Sequence, residues 1–323
     1  MKILRALAAI GLLLVPAASV AADPFPSEPV KIIVPYAAGG VADLLPRVVG
    51  EKLSQIWKQP VVIENKPGAS GNIGMELAVR AEPDGYTLVL APTGNLTVNP
   101  ILFPNLPFNP QKDLSPITIL AASPNVLVVH PSVAAKTVKE LVAYAKANPG
   151  KLNYASPGEG SGAHLAGELL NLEAGIQTTH IPYKGLAPAV TDLLAGNVQM
   201  MFAGISTVLQ HVNSGKLVAI AVASSSRLTT LPSVPTVSES GIPDFDVTSW
   251  YGLLAPAGTP GTVIATIRRD IVSVYRDAKT MEKLAELGLI PVGNRPEDFA
   301  RTIKLETEKW SDIVKKANIK PQQ

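Results

Sequence analysis

Short apolar runs rich in β-branched residues alternate with helix-period stretches along most of the chain. Residues 30–35 (VKIIVP) predict a strand, Gly39-Gly40 a turn, and 42–56 a helix. A second strand is expected over 61–64, a turn at Asn65-Lys66-Pro67-Gly68, a helix over 73–80 and a third strand over 86–91. This alternation within some sixty residues implies a parallel sheet with crossover helices. Residues 92–116 read as irregular, because Pro92, Pro100, Pro104, Pro107, Pro110 and Pro116 interrupt them. Strands over 117–121 and 126–130 then stand nearly end to end. A second alternating unit follows, with helices over 138–147, 163–174, 188–195 and 206–214 and strands over 153–156, 178–183, 198–202 and 217–223. A second Pro-rich passage at 232–245 leads to a strand over 247–254, and helices over 262–287 and 296–317 finish the chain.

The expected fold class is therefore α/β with two units. The last helices bring no sheet of their own, so they are expected to return to the first unit. The chain then crosses between lobes twice, near 117–130 and near 240–254, which makes a hinge and a cleft. Lobe 1 would comprise 23–122 and 247–323, and lobe 2 would comprise 123–246. Two independent beads remain the alternative.

Composition narrows the chemistry. The 323 residues include no cysteine, which removes disulfides, Cys-ligated zinc, iron–sulfur clusters and cysteine nucleophiles. A net charge of +2 argues against nucleic-acid binding through bulk charge. Lys2 and Arg5 precede an apolar run at 6–15 (ALAAIGLLLV), and small residues at 18–22 precede Asp23. These are the three parts of a secretory signal peptide, expected to span 1–22. The run is shorter than the ~20 apolar residues of a spanning helix, so cleavage is favoured over anchoring. Removing Lys2 and Arg5 leaves no net charge on an exported, periplasmic protein.

Two Gly-rich strand-to-helix loops are the main candidate sites: 35–43 (PYAAGGVAD) and 153–164 (NYASPGEGSGAH). Glycines let a ligand approach the backbone, and a helix start offers free N–H groups to an anion. Asp43 is a candidate cap. The second loop loosely matches a dinucleotide fingerprint, but no acidic residue ends the next expected strand, as a ribose would require. Ser161 with His164 suggests a hydrolase, although the G-x-S-x-G spacing fails. His130, His180 and His211 are scattered, so no metal site is expected. Residues 93–97 (TGNLT) and 204–207 (GIST) offer neutral hydroxyl and amide groups. Trp250-Tyr251 either floors the cleft or packs the hinge. Donors without an acid–base dyad point to binding without turnover.

Residues 35–43, 64–74 (ENKPGASGNIG), 83–88 (PDGYTL), 160–165, 182–185 (PYKG), 235–237 and 251–260 (YGLLAPAGTP) carry a resemblance. They resemble the Bug-type, or TctC-type, receptors of tripartite tricarboxylate transporters across essentially the whole mature chain. The resemblance implies a two-lobed periplasmic-binding-protein-like fold with a mixed, largely parallel sheet in each lobe. It implies no enzyme activity and no cofactor, and a monomer that delivers a small mono- or dicarboxylate to membrane transporter subunits. Carried over by position, the carboxylate would be held by Tyr36, Ala38, Gly39, Gly40, Asp43, Ser156, Gly160, Ser161 and His164. Its far end would meet Asn95, Thr97, Ser206 and Thr207. Val41-Ala42, Pro46, Pro157, Glu159 and Leu186 depart from the family pattern. Those departures suit a more apolar dicarboxylate, even an aromatic one. A periplasmic serine hydrolase using Ser161 and His164 is the competing function, and a nucleotide-binding oxidoreductase is a second.

Overall fold

The computed structural model describes residues 25–321, so the expected signal segment 1–22 lies outside the described residues. The first unit runs β1 (Val30–Val34), α1 (Val41–Trp57), β2 (Val61–Asn65), α2 (Asn72–Val79), β3 (Thr87–Pro92), α3 (Thr93–Thr97), α4 (Asn99–Leu102) and β4 (Leu114–Ser123). The second runs β5 (Asn125–Val129), α5 (Val138–Ala147), β6 (Asn153–Ser156), α6 (Gly162–Ala174), β7 (Thr179–Pro182), α7 (Leu186–Leu194), β8 (Met200–Gly204), α8 (Ile205–Asn213) and β9 (Val218–Val222). The chain closes with β10 (Ser249–Pro256), α9 (Gly261–Val274), α10 (Ala278–Glu286), β11 (Ile290–Pro291) and α11 (Pro296–Lys316).

Two separate sheets result, ordered β11-β4-β10-β3-β1-β2 and β7-β6-β8-β5-β9. In the first, β2, β1, β3 and β4 run the same way, and β10 lies antiparallel between β3 and β4. In the second, β7, β6, β8 and β9 run together, and β5 lies antiparallel between β8 and β9. In each sheet the strand that arrives from the other lobe, β10 or β5, runs against its neighbours, and the short edge strand β11 also runs against β4. Only Pro124 separates β4 from β5, so the chain leaves one sheet and enters the next without turning back.

Strand alternation places side chains on both faces of each sheet. Val30, Ile32 and Val34 of β1 pack with Leu45, Val49 and Leu53 of α1 and Ile267 of α9. Ile33, on the opposite face, joins Met75 of α2 and Phe299 and Ile303 of α11. In the second lobe Leu127 and Val129 face α5 and α6, while Val126 and Val128 face α7 and α8.

Several expectations change. The stretch 92–116 is not wholly irregular: it holds α3 and α4, and β4 starts at Leu114, with a register shift close to Pro116. The helix expected over 262–287 is two, because Asp277 caps α10 by accepting the Thr280 N–H at 2.8 Å. The C-terminal helices do not pack on the first unit alone. Trp310, Ile313 and Val314 of α11 belong to the second lobe's core, so α11 is a third link between lobes besides the two strand crossings.

Candidate functional site

The first loop is held from behind by Asp43, which is 3% exposed. Its Oδ2 accepts the Gly39 N–H at 2.9 Å, and its Oδ1 accepts from Asn65 Nδ2 at 2.9 Å and Arg47 Nε at 3.0 Å. Asn65 Nδ2 also donates to the Tyr36 carbonyl at 3.0 Å. The capping expected of Asp43 therefore goes to Gly39, before the helix start at Gly40, and not to a first-turn N–H. Hydrogen bonding from Arg47 is the main cause that lowers the Asp43 carboxyl to about 2. Gly39 takes φ +97°, which favours glycine, whereas Gly40 has φ −86° and open space where a Cβ would stand.

The second loop is held by Ser161 and His164. Ser161 Oγ donates to the Gly158 carbonyl at 2.6 Å and accepts the His164 N–H at 3.3 Å, capping α6. His164 Nδ1 accepts the Gly160 N–H at 3.0 Å. Its ring stacks on His180 with centroids 3.9 Å apart and planes within 9°, and the Tyr154 ring lies 4.9 Å from His180 and 6.4 Å from His164. Burial lowers His164 to about 4, and burial together with His164 lowers His180 to about 3, so both rings are neutral at pH 7. The His164 ring is thus committed to the Gly160 backbone and does not act on the Ser161 hydroxyl, which removes the geometry a hydrolase would need. Ser156 Oγ does lie 2.6 Å from His180 Nε2, but Ser156 is wholly buried, out of reach of any substrate. Among the described residues no cluster of three or more His, Asp or Glu could hold a metal ion.

Two adjoining chambers open between the lobes. One, of about 380 Å³, is lined by the first turns of three long helices: Gly40, Val41 and Ala42 of α1, Ser161 to Ala163 of α6, and Gly204, Ser206 and Thr207 of α8. First-turn N–H groups have no acceptor within their own helix, and each helix start carries roughly half a positive charge. The other, of about 440 Å³, shares Tyr36, Pro92, Pro157, Ser161, Gly162, Ser249 and Tyr251 with the first. No lysine or arginine stands among the described residues lining either chamber.

Of the residues expected at the site, Tyr36, Gly40, Gly160, Ser161, Ser206 and Thr207 line these chambers. Ala38 and Gly39 are exposed beside them. Asp43, Ser156 and His164 are buried supports of the two loops. Asn95 and Thr97 do not reach the wall. Asn95 accepts from Tyr36 Oη at 2.8 Å and donates to the Ser70 carbonyl at 2.9 Å, and Thr97 Oγ1 donates to the Thr93 carbonyl at 2.8 Å. Period-2 geometry resolves Trp250-Tyr251: Trp250 packs edge-on against Phe299 at 5.4 Å, while Tyr251 faces both chambers. Ser123, Asn125 and Ser249 also line the wall and were not anticipated. The only signal for them was their place at the strand crossings.

This arrangement has known counterparts. The sequence profile of TctC, the tripartite tricarboxylate transporter family receptor, matches residues 45–319. The chain belongs to this family. The receptor is 37% identical to Protein BugT of Bordetella pertussis over 324 residues, covering 99% of each chain. It superposes on the periplasmic binding protein BugD at 35% identity and a TM-score of 0.78, covering 92% of this chain and all of that one. It also superposes on R. palustris Rpa4515, solved with adipate, at 31% identity and a TM-score of 0.82, covering 93% of this chain and all of that one. The mixed α/β, two-lobed binding-protein fold implied by the sequence resemblance is the fold found. The receptor is a solute-binding protein and not an enzyme.

Proposed function

We propose that this receptor works in the periplasm, after export through the segment 1–22. There it captures a small organic mono- or dicarboxylate between its lobes and delivers it, as a monomer, to membrane subunits of a tripartite tricarboxylate-type transporter. The observation that carries the reading is the convergence of α1, α6 and α8 on one cation-free chamber. Helix starts bind anions through backbone N–H groups, and hydrogen bonds to a charged group contribute about 1.5–3 kcal/mol each. The adipate held by Rpa4515 and the transporter named in the family's description support the same reading. Closure would move 23–122 and 247–323 against 123–246, with α11 bending or sliding where it joins both cores.

The deciding experiment is mass spectrometry of the ligand released from freshly purified protein, with solution scattering before and after that ligand is restored. A carboxylic acid that shrinks the radius of gyration is expected. A cationic or neutral ligand, or a radius that does not change at saturation, would overturn the proposal.

A further inference from the structure

On the wall common to both chambers the protein leaves one hydroxyl without a partner, and that hydroxyl bears on what the ligand carries besides its first carboxylate. The inference rests on the carboxylate reading above. We propose that Tyr251 is a specificity-determining residue, its Oη donating a hydrogen bond to a further oxygen on the body of the bound acid where the chambers meet.

The shared wall presents the hydroxyls of Tyr36, Ser161, Ser249 and Tyr251. Tyr36 Oη donates to Asn95 Oδ1 at 2.8 Å, and Ser161 Oγ donates to the Gly158 carbonyl at 2.6 Å. Ser249 Oγ accepts from Asn125 Nδ2 at 3.3 Å. Tyr251 Oη alone meets no hydrogen-bond partner among the described residues.

Its placement is fixed from behind. β10 pairs Tyr251 with Pro92 of β3 and with Ala121 of β4, and its ring packs against the first lobe's core, as the Tyr36 ring does. Between the partners of Tyr251 and Gly252, β4 skips Leu120, an irregularity of the kind that re-aims a side chain. Burial first, and Tyr36 second, push the Tyr251 hydroxyl up to about 12, so it keeps its proton and donates at neutral pH.

In an open cleft water satisfies such a donor. Closure on a ligand with only hydrocarbon at this point would leave the phenol dehydrated and unpaired, whereas an oxygen there replaces the lost water. A buried donor therefore rejects an analogue lacking the acceptor far more strongly than an apolar pocket tells one methylene from none.

Matched acids that exchange an oxygen group for a methyl test this on wild type and Tyr251→Phe. Calorimetric titration would compare 4-hydroxybutanoate with pentanoate, adipate with hexanoate, and 4-hydroxybenzoate with 4-methylbenzoate. In the pair that binds most tightly, wild type should prefer the oxygenated acid at least tenfold. Tyr251→Phe should cut that preference below threefold by weakening the oxygenated acid and leaving its methyl partner unchanged. The urea midpoint of the variant should match wild type, because the hydroxyl holds nothing within the protein. A methyl acid as tight as its partner in wild type, or a preference that survives in Tyr251→Phe, overturns this inference and leaves the carboxylate reading standing. A lowered urea midpoint would make the hydroxyl structural and counts against the assignment. No binding by any of the six acids at millimolar concentration overturns both readings.

Discussion

Arg47 meets Asp43 at 2.8 Å one turn into α1, and the pairing leaves the carboxylate's other oxygen on the Gly39 N–H. Arg47 is therefore engaged, and it shapes the loop without lining the chamber. It reaches back toward the helix start, but to an acid that neutralises it.

The acid limb of stability should follow from this pair. Asp43 titrates near 2 in the folded protein, below its ordinary value near 3.9. Its contribution is then complete above pH ~4 and is lost as pH falls toward 2. Arg47→Ala should cost about 1–2 kcal/mol at pH 7, less than a fully buried charged hydrogen bond because the guanidinium is 45% exposed. The variant should also flatten that limb. Urea titrations from pH 2 to 7 measure both, and an unaltered acid slope would show that the pair does not govern it.

Gly40→Val should abolish ligand binding while the fold survives. The glycine's φ of −86° suits any residue and a Cβ meets nothing within 4 Å, yet Gly40 lines the anion chamber. The stability cost should stay near 1 kcal/mol, the scale of a weaker N-cap. Normal affinity in this variant would make the first loop a plain turn.

The histidine stack predicts a second pH effect. Below pH 6.5 the unfolded chain binds protons that the buried rings refuse, so stability falls as pH drops from 6.5 toward 4. For His164 alone the loss between pH 6.5 and 5 should be about 2 kcal/mol, at about 1.4 kcal/mol per pH unit. His164→Phe keeps a ring on His180 but removes the acceptor for the Gly160 N–H. It should cost about 1 kcal/mol at pH 7 and lose its share of the slope. A variant with the full wild-type slope would exclude His164 as the source.

Affinity for the identified ligand should depend weakly on salt, because helix dipoles and N–H donors in a closed cleft are poorly screened. Ser161→Ala should destabilise α6 by about 1 kcal/mol through the lost cap and reduce affinity only modestly. Its hydroxyl proton is already on the Gly158 carbonyl. Titrations at low and high salt check the first point, and a steep fall with salt would reveal a cation at the carboxylate.

Local chemistry settled most element types, though not α3 and α4 within the Pro-rich stretch or the break between α9 and α10. Residues 138–147 and 153–156 form α5 and β6 with those same ends because the signals are local. Thr137 caps α5 by accepting the Glu140 N–H, and a short β-rich run follows the turn at Gly150. The Gly-rich loops at 35–43 and 153–164 were legible for the same reason, since strand, glycines and helix start are contiguous in the chain. What the loops touch was not legible. His180 looked isolated until β6 and β7 paired with Tyr154 opposite His180, which brought its ring under His164. Asn95 and Thr97 looked like free donors until folding matched them to Tyr36, Ser70 and Thr93. Tyr251 acquired a place in the cleft, and Trp250 one in the core, only when β10 entered the first sheet antiparallel between β3 and β4. Periodicity and turn chemistry reach a few residues along the chain, whereas burial, donor commitment and strand register are decided by segments tens to hundreds of residues apart, so only the tertiary structure could assign them.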